Sequence, residues 1–299
     1  MGRWRPGRTV TPGSDPPVAL TIAGSDSGSG AGIQADVKTM SALGVFATTA
    51  VTVITAQNTA EVREVLPVPP AMVDSQISTV IDDLAVAAVK TGMLATPETV
   101  EVVAHRARSG DLPRLVVDPV LVTSSGRVLL ADAGIVAYQK RLLPHALVTA
   151  PNLWEAALLA GVEPFAVGDV EAMEDAARRI HDLGPAWVLI KGGHLPGVDR
   201  HDPGAAASEV TDVLFDGTEV TRLAAPRVDT ANTHGTGCSL SAAIVAHLAR
   251  GADVPSAVSH AKEFVHGALL GGARWHLGRG HGPLDHFGWA GRPPDRPLS

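Results

Sequence analysis

The chain has little of what several classes of protein need. It carries a single cysteine, Cys238, in 299 residues. That excludes an internal disulfide and a cysteine-rich zinc site, and it fits a reducing cytoplasm. Basic residues are outnumbered, with 24 Lys and Arg against 31 Asp and Glu and a formal net charge of -7. A clustered basic surface for nucleic acid is therefore not expected. No stretch approaches about 18 uninterrupted apolar residues, so neither a transmembrane helix nor a membrane partner is expected. The Arg-, Gly- and Pro-rich residues 1–17 lack the apolar core of a secretory signal and read as a disordered extension. Two familiar glycine signatures are also missing. The loop from Gly24 to Gly32 is not a dinucleotide fingerprint, because the sixth position counted from Gly28 is Ile33, and no Gly-Lys-Ser/Thr follows any glycine loop.

Aromatics make up only 4% of the chain, whereas 45% of it is apolar and dominated by Ala, Val and Leu. That balance suits buried parallel strands packed against helices. Residues 18–23 read as a strand running into Gly24-Ser25-Asp26, and further strands are expected over 48–56, 88–92, 115–120, 147–150 and 187–191. Helical spacing covers 32–43, 70–84, 97–108, 133–143, 153–160, 170–183, 239–250 and 254–270, and a hairpin of 210–215 with 220–223 turns at Asp216-Gly217. The alternation predicts one α/β domain over 18–287, with a mostly parallel central sheet and helices on both faces. Ligands of such sheets bind along the carboxyl ends of the strands. Residues 197–209 read as a mobile surface loop, 288–299 as an irregular tail, and His276, His281 and His286 as solvated residues with no metal spacing.

The run Asn232-Thr233-His234-Gly235-Thr236-Gly237-Cys238-Ser239 is the most informative stretch. It lies between an extended segment and a long apolar helical one, with two glycines for a tight turn. Successive amide groups at a helix start, aided by the helix dipole, make an anion site. Cys238 inside that site points to transfer of a charged group, most simply phosphoryl. The helix start is expected to lower its thiol from the ordinary value of about 8.5, so that thiolate is accessible at neutral pH.

Other polar residues collect at predicted strand ends. Asp118 either caps a turn or stands near Mg2+. Asn152 and Glu155, three apart, fit either a capping box or a hydrated Mg2+ site. Lys191, before Gly192-Gly193, either snorkels or meets an ATP phosphate. Gln57 and Asn58 either form a turn or read a heterocycle edge, and Met93 is either core or ligand contact.

Taken together, the segments Leu20 to Ser27, Gly28 to Lys38, Thr55-Ala56-Gln57-Asn58-Thr59, Val89 to Leu94, Val117-Asp118-Pro119-Val120, Pro151-Asn152 with Glu155, Lys191 to Leu195, and Asn232 to Ser241 resemble one family in order. It is the hydroxymethylpyrimidine/phosphomethylpyrimidine kinases of thiamine biosynthesis, within the ribokinase-like superfamily. The resemblance implies a ribokinase-like α/β fold. It also implies ATP-dependent phosphorylation of 4-amino-5-hydroxymethyl-2-methylpyrimidine, and then of its monophosphate. By the same resemblance Gln57, Gly24, Asp36, Met93 and Val120 surround the pyrimidine. Asn152 and Glu155, with Asp118, hold Mg2+. Gly235, Thr236, Gly237 and Cys238 form the catalytic anion hole with Lys191, and Thr233 and Lys262 join the ATP phosphate contacts. A cytoplasmic homodimer is implied, with no fused thiamine-phosphate synthase. The rivals are a pyridoxal or pyridoxine kinase, a non-catalytic nucleotide- or pyrimidine-binding regulator, and a cysteine hydrolase. The last is disfavoured because no His–Asp pair is expected to activate Cys238.

Overall fold

A computed structural model describes residues 15–122, 130, 132–163, 166–193 and 209–288. The expectations for 1–14, for most of the 197–209 loop and for 289–299 lie outside these residues. The described chain forms a nine-stranded sheet in the order β3-β2-β1-β4-β5-β6-β7-β8-β9. The strands are β1 (Val18–Asp26), β2 (Phe46–Gln57), β3 (Val62–Pro67), β4 (Val86–Thr91), β5 (Val116–Val117), β6 (Val148–Thr149), β7 (Trp187–Ile190), β8 (Glu209–Phe215) and β9 (Val220–Pro226). The run from β2 to β7 is parallel, while β3 at one edge and β8 and β9 at the other are antiparallel. The fold is therefore the mostly parallel α/β sheet that the alternation predicts.

Helices cover both faces. Helices α2 (Pro70–Asp83), α3 (Pro97–Arg108), the short α4 (Asp132–Ala137), α5 (Leu153–Ala160) and α6 (Val170–His181) pack one apolar layer with Leu20, Ile22, Val89 and Val117. Helices α1 (Gly32–Ala42), α7 (Thr236–Ala249) and α8 (Val254–Gly272) pack the other with Ala19, Ala88, Val116 and Val148. The helix starts follow local chemistry. Thr96 accepts from the Thr99 amide ahead of Pro97, Asp169 from Ala172, and Asp253 from Ser256, each satisfying an amide that the first turn leaves open. Basic residues His105, Arg106 and Arg108 close α3, where the dipole is negative.

The structure departs from the sequence pattern in identifiable places. The helix expected over 133–143 keeps its α form only to Ala137, then widens into a π turn (Tyr138–Leu142) and tightens into a 3-10 turn (Leu143–His145). Pro144 has no amide to continue an α ladder. Strands β5 and β6 are two residues each, shorter than the apolar runs around them. Pro119 and Pro151 follow closely and cannot donate to the ladder. Strand β3 gave no burial signal because every one of its residues is exposed. His286 is not solvated: it is 4% exposed, and its Nε2 lies 2.8 Å from Ser239 Oγ in the first turn of α7. Burial, with Lys38 nearby, pulls its imidazole down to about 4. The segment after α8 is pinned to the α7 approach by Asn232, whose side chain accepts from the Gly282 amide and donates to the carbonyls of Gly272 and Trp275.

Candidate active site

All six parallel strands end on one rim, and the strand order reverses between β1 and β4. That reversal opens a crevice, and α7 begins there. Its cap, Gly235, has φ +86°, and a Cβ at this position would overlap the Gly30 carbonyl oxygen. Only glycine gives both the left-handed turn and the close crossing of the two loops. The 24–32 loop is in turn wrapped around one carboxylate. Asp26 accepts from the amides of Gly28 at 2.8 Å, Gly30 at 3.0 Å and Ala31 at 2.8 Å. Burial alone would raise the Asp26 carboxyl, but His234 and these amides hold it below its ordinary value.

Asp26 also braces the β1–β2 side of the crevice. His234 Nε2 lies 3.0 Å from Asp26 Oδ2 and 3.2 Å from Gln57 Nε2. One imidazole nitrogen cannot donate to the carboxylate and accept from the amide at once. With the proton on Nε2 facing Asp26, the consistent arrangement turns the Gln57 amide so that its oxygen faces the ring and its NH2 faces Thr55 Oγ1. Gly24 sits where a Cβ would strike Val53, so β1 closes tightly on β2 here, while Met93 Cβ would stand at an ordinary contact distance of 3.9 Å. Gln57 thus ends β2, Gly24 lies late in β1, and Met93 follows β4 on the same rim, while Val120 is only partly buried beyond β5. Asp36 is placed differently: it is fully buried beneath the rim on α1, with its carboxylate on Lys90 and Thr21.

The opposite side carries the charge. Lys191 Nζ lies 2.9 Å from Asp118 Oδ1, and Ser241 of α7 donates to Asp118 Oδ2 at 2.9 Å. Burial would raise the Asp118 carboxyl, yet Lys191, Lys90 and Ser241 keep it low. Asn152 and Glu155 form the full capping box of α5, with bonds of 2.8 and 3.0 Å. Burial pushes the Glu155 carboxyl up to about 8 in spite of Lys191, and Asp118 adds to the rise. Burial also works against the Lys191 ammonium, but Asp118 and Glu155 raise it above its usual value. Nζ of Lys191 lies 3.3 Å from where a Cβ of Gly237 would stand, so the ammonium abuts the first turn of α7. Thr233 closes the approach to that turn, its carbonyl accepting from the Thr236 amide and hydroxyl. Lys262 belongs to a different brace. It reaches Asp212 Oδ2 at 2.6 Å and the Val210 carbonyl at 3.1 Å, and Asp212 in turn holds the Gly192 amide at 2.8 Å.

Cys238 lies in the first turn of α7, partly buried and with a free thiol. Its thiol does not follow the expectation from a helix start. Burial pushes it up to about 11, with Asp36 and Asp118 adding to the rise, and the Lys90 charge and the Gly32 backbone only partly offset them. The fold also makes a His–Asp pair beside α7, His234 with Asp26, but the imidazole nitrogen of that pair faces Asp26 and Gln57. Among the described residues no three His, Cys, Asp or Glu side chains gather closely enough to cage a metal ion.

Sequence reasoning passed over Asp26, Lys90, Ser241 and Asp212. Lys90 had a readable signal, an ammonium at the end of the otherwise apolar run Val86 to Val89. The partners of Ser241 and Asp212 lie in distant segments and leave no local pattern.

Comparison with known proteins bears on this arrangement. Residues 26–285 match the family model for phosphomethylpyrimidine kinase. The chain is 48% identical over 280 residues to a hydroxymethylpyrimidine/phosphomethylpyrimidine kinase of Streptomyces coelicolor, covering 94% of this chain and 97% of that one. It is 47% identical to the enzyme of the same name from Rhizobium meliloti, covering 90% and 97%. Among solved structures it is similar to an ADP complex of Bacillus subtilis pyridoxal kinase, with a TM-score of 0.81 and 36% identity over 93% of this chain and 100% of that one. No helix among the described residues is long and apolar enough to cross a membrane.

Proposed function

Because the chain belongs to the phosphomethylpyrimidine kinase family, and is a kinase of hydroxymethylpyrimidine and its monophosphate in thiamine biosynthesis, we propose that both transfers take place at the start of α7. The observation that carries this reading is the glycine-capped start of α7 on the strand-end rim, with the Lys191 ammonium against its first turn.

On the acceptor side, Gln57 reads the aminopyrimidine edge once it exchanges its contact with His234 for the ring. Gly24, Met93 and Val120 bound that pocket, and Asp36 acts from beneath. On the donor side, the amides of Gly235, Thr236 and Gly237 receive the transferring phosphoryl, and Lys191 meets its charge from the flank. Phosphoryl transfer has a loose transition state, so placement and charge matter more than a strong base. Thr233 shapes the turn, and Lys262 acts through Gly192 rather than on phosphate.

The donor set suits a hydrated Mg2+ rather than a caged one. Both oxygens of Asp118 already have partners, and Glu155 is engaged with the Asn152 amide. Burial raises the Glu155 carboxyl, and a cation nearby would favour its ionised form. Asp118, Asn152 and Glu155 would hold the ion through its water shell. When bound, it offsets charge on the ATP phosphates.

The chain is further read as a cytoplasmic homodimer. Strand β3 is an unpaired edge, and Val62, Val65 and Leu66 on it, with Ile54 of β2, are all exposed. Open apolar edges of this kind are normally covered. A second copy of the chain would cover it, and sedimentation of Leu66→Glu against the parent tests this.

A pyridoxal kinase reading is kept as the alternative because solved relatives of that activity share the fold closely. Purified protein with MgATP is offered the pyrimidine alcohol, its monophosphate and pyridoxal in parallel. The expected result is charge-resolved mono- and diphosphate of the pyrimidine, with kcat/KM at least about tenfold above that for pyridoxal. A preference for pyridoxal would reverse the assignment.

A further inference from the structure

Beneath the pocket, Asp36 is paired with Lys90, a residue to which the mechanism above gives no role. Lys90 of β4 and Asp36 of α1 are both 0% exposed, with Nζ 2.9 Å from Oδ2. Thr21 donates to the same oxygen at 2.6 Å, while Asp36 Oδ1 and the neighbouring Thr39 hydroxyl have no partner. The layer around them is otherwise small and apolar, with Ala19, Ala88 and Val116. A fully buried ion pair with an unsatisfied oxygen gives a fold no clear stability advantage over two well-packed apolar side chains. Gly92 completes the arrangement. A Cβ there would stand 3.2 Å from the ammonium and 2.9 Å from the Ala23 side chain, so only glycine lets the end of β4 close over it. Lys90 and Cys238 feel each other's charge directly, and Lys90 also feels Asp118.

We propose that Lys90, oriented by Asp36, is a positioning residue for Cys238: its buried ammonium meets negative charge that develops at the sulfur or on the acceptor oxygen beside it. This rests on the reading that both transfers take place at the start of α7, and it sets the Cys238 sulfur beside the acceptor oxygen. The charges that face Cys238 are Lys90 from β4, Asp36 from α1, Asp118 beyond β5 and Lys191 beyond β7. Lys191 is shared between Asp118 and Glu155 on the nucleotide side. On the acceptor side Lys90 is the cation whose charge reaches the thiol, and Asp36 sets how much of that charge is left for it.

The pair therefore makes a prediction that a merely structural role does not. Removing its two members should move the thiol in opposite directions. Cys238 is the only cysteine and Tyr138 the only tyrosine in the chain. Burial and the charges of Asp118 and Glu155 raise the Tyr138 phenol well above its ordinary range. The thiolate absorbance near 240 nm, checked by the pH dependence of iodoacetamide alkylation, thus reports Cys238 alone.

Lys90→Met is expected to shift the midpoint upward by about one pH unit or more, and Asp36→Asn downward by a similar amount. The first transfer, to the hydroxymethyl group, should fall about tenfold in Lys90→Met, with KM for ATP unchanged. If Lys90→Met unfolds, Asp36→Asn alone still decides the matter, because a neutral amide keeps the shape of the carboxylate. An unmoved midpoint in either folded variant, or shifts of the same sign in both, would overturn the proposal. If the midpoints shift as stated while Cys238→Ala leaves both transfers untouched, the charge coupling stands and the role given to Cys238 fails instead.

Discussion

The two flanks of α7 are built on opposite principles. Toward β1, β2 and β4 the rim is lined by groups that hydrogen-bond to one another, Gln57 to His234 and His234 to Asp26. Toward β5, β6 and β7 it is lined by charges that partly cancel, Lys191 against both Asp118 and Glu155. A neutral heterocycle is discriminated by partners that would otherwise be left unpaired. A polyphosphate needs fixed charge already in place, because charges arranged in advance need not reorganise during transfer. On the reading proposed above, the difference lets one rim take two such unlike molecules, with Cys238 where they meet.

The comparison breaks most severely at the crossing that joins the two flanks. Gly235→Ala forces a side chain into a left-handed turn and onto the Gly30 carbonyl. It should abolish measurable transfer to either acceptor and lower Tm, which a thermal melt and a coupled ADP assay would read together. A parent-like melt with parent-like rates would mean the crossing is dispensable. Next in size is Lys191→Met. It leaves Asp118 and Glu155 facing each other without their cation, and kcat should fall about 10²–10³-fold for both acceptors. A loss confined to one acceptor would assign Lys191 to the wrong flank.

On the neutral side, Gln57→Ala should raise KM for the pyrimidine about tenfold while KM for ATP stays the same. An unchanged pyrimidine KM removes Gln57 from the ring-reading role. The smallest effect expected is one of stability. Glu155 protonates at about 8 in the folded chain, against an ordinary value of 4.5. Its contribution is therefore complete below the unfolded value and is lost as pH rises through the folded one. Glu155→Gln keeps the capping geometry and removes the charge. Its Tm relative to the parent should thus climb steadily between about pH 5 and about pH 8, and a flat difference would place Glu155 in contact with more positive charge than Lys191 alone.

Much of this was legible in the residues. Strand–helix alternation gave the sheet, and the strand ends gathered Gln57, Asp118, Asn152 and Lys191 on one rim. The glycines of the 232–239 run correctly announced a turn into a helix. What could not be read was the balance of burial against charge. At Cys238 burial and the charges of Asp36 and Asp118 outweigh the helix start. The pairing of Asn152 with Glu155 left two readings open, and the formed capping box shows that local backbone needs were met first. The brace of Lys262 on Asp212, which the resemblance did not imply, joins segments far apart in the chain. Strand β3 was invisible because an exposed edge has no burial period to display.

The account depends most on Cys238 acting at the acceptor oxygen, and the two acceptors differ in the proton they must lose. The hydroxymethyl group carries one to be removed, while the monophosphate is already ionised at neutral pH. Single-turnover rates for both transfers, measured side by side in Cys238→Ala, test this directly. The account predicts that the first transfer slows at least about tenfold more than the second; equal losses on both would contradict it.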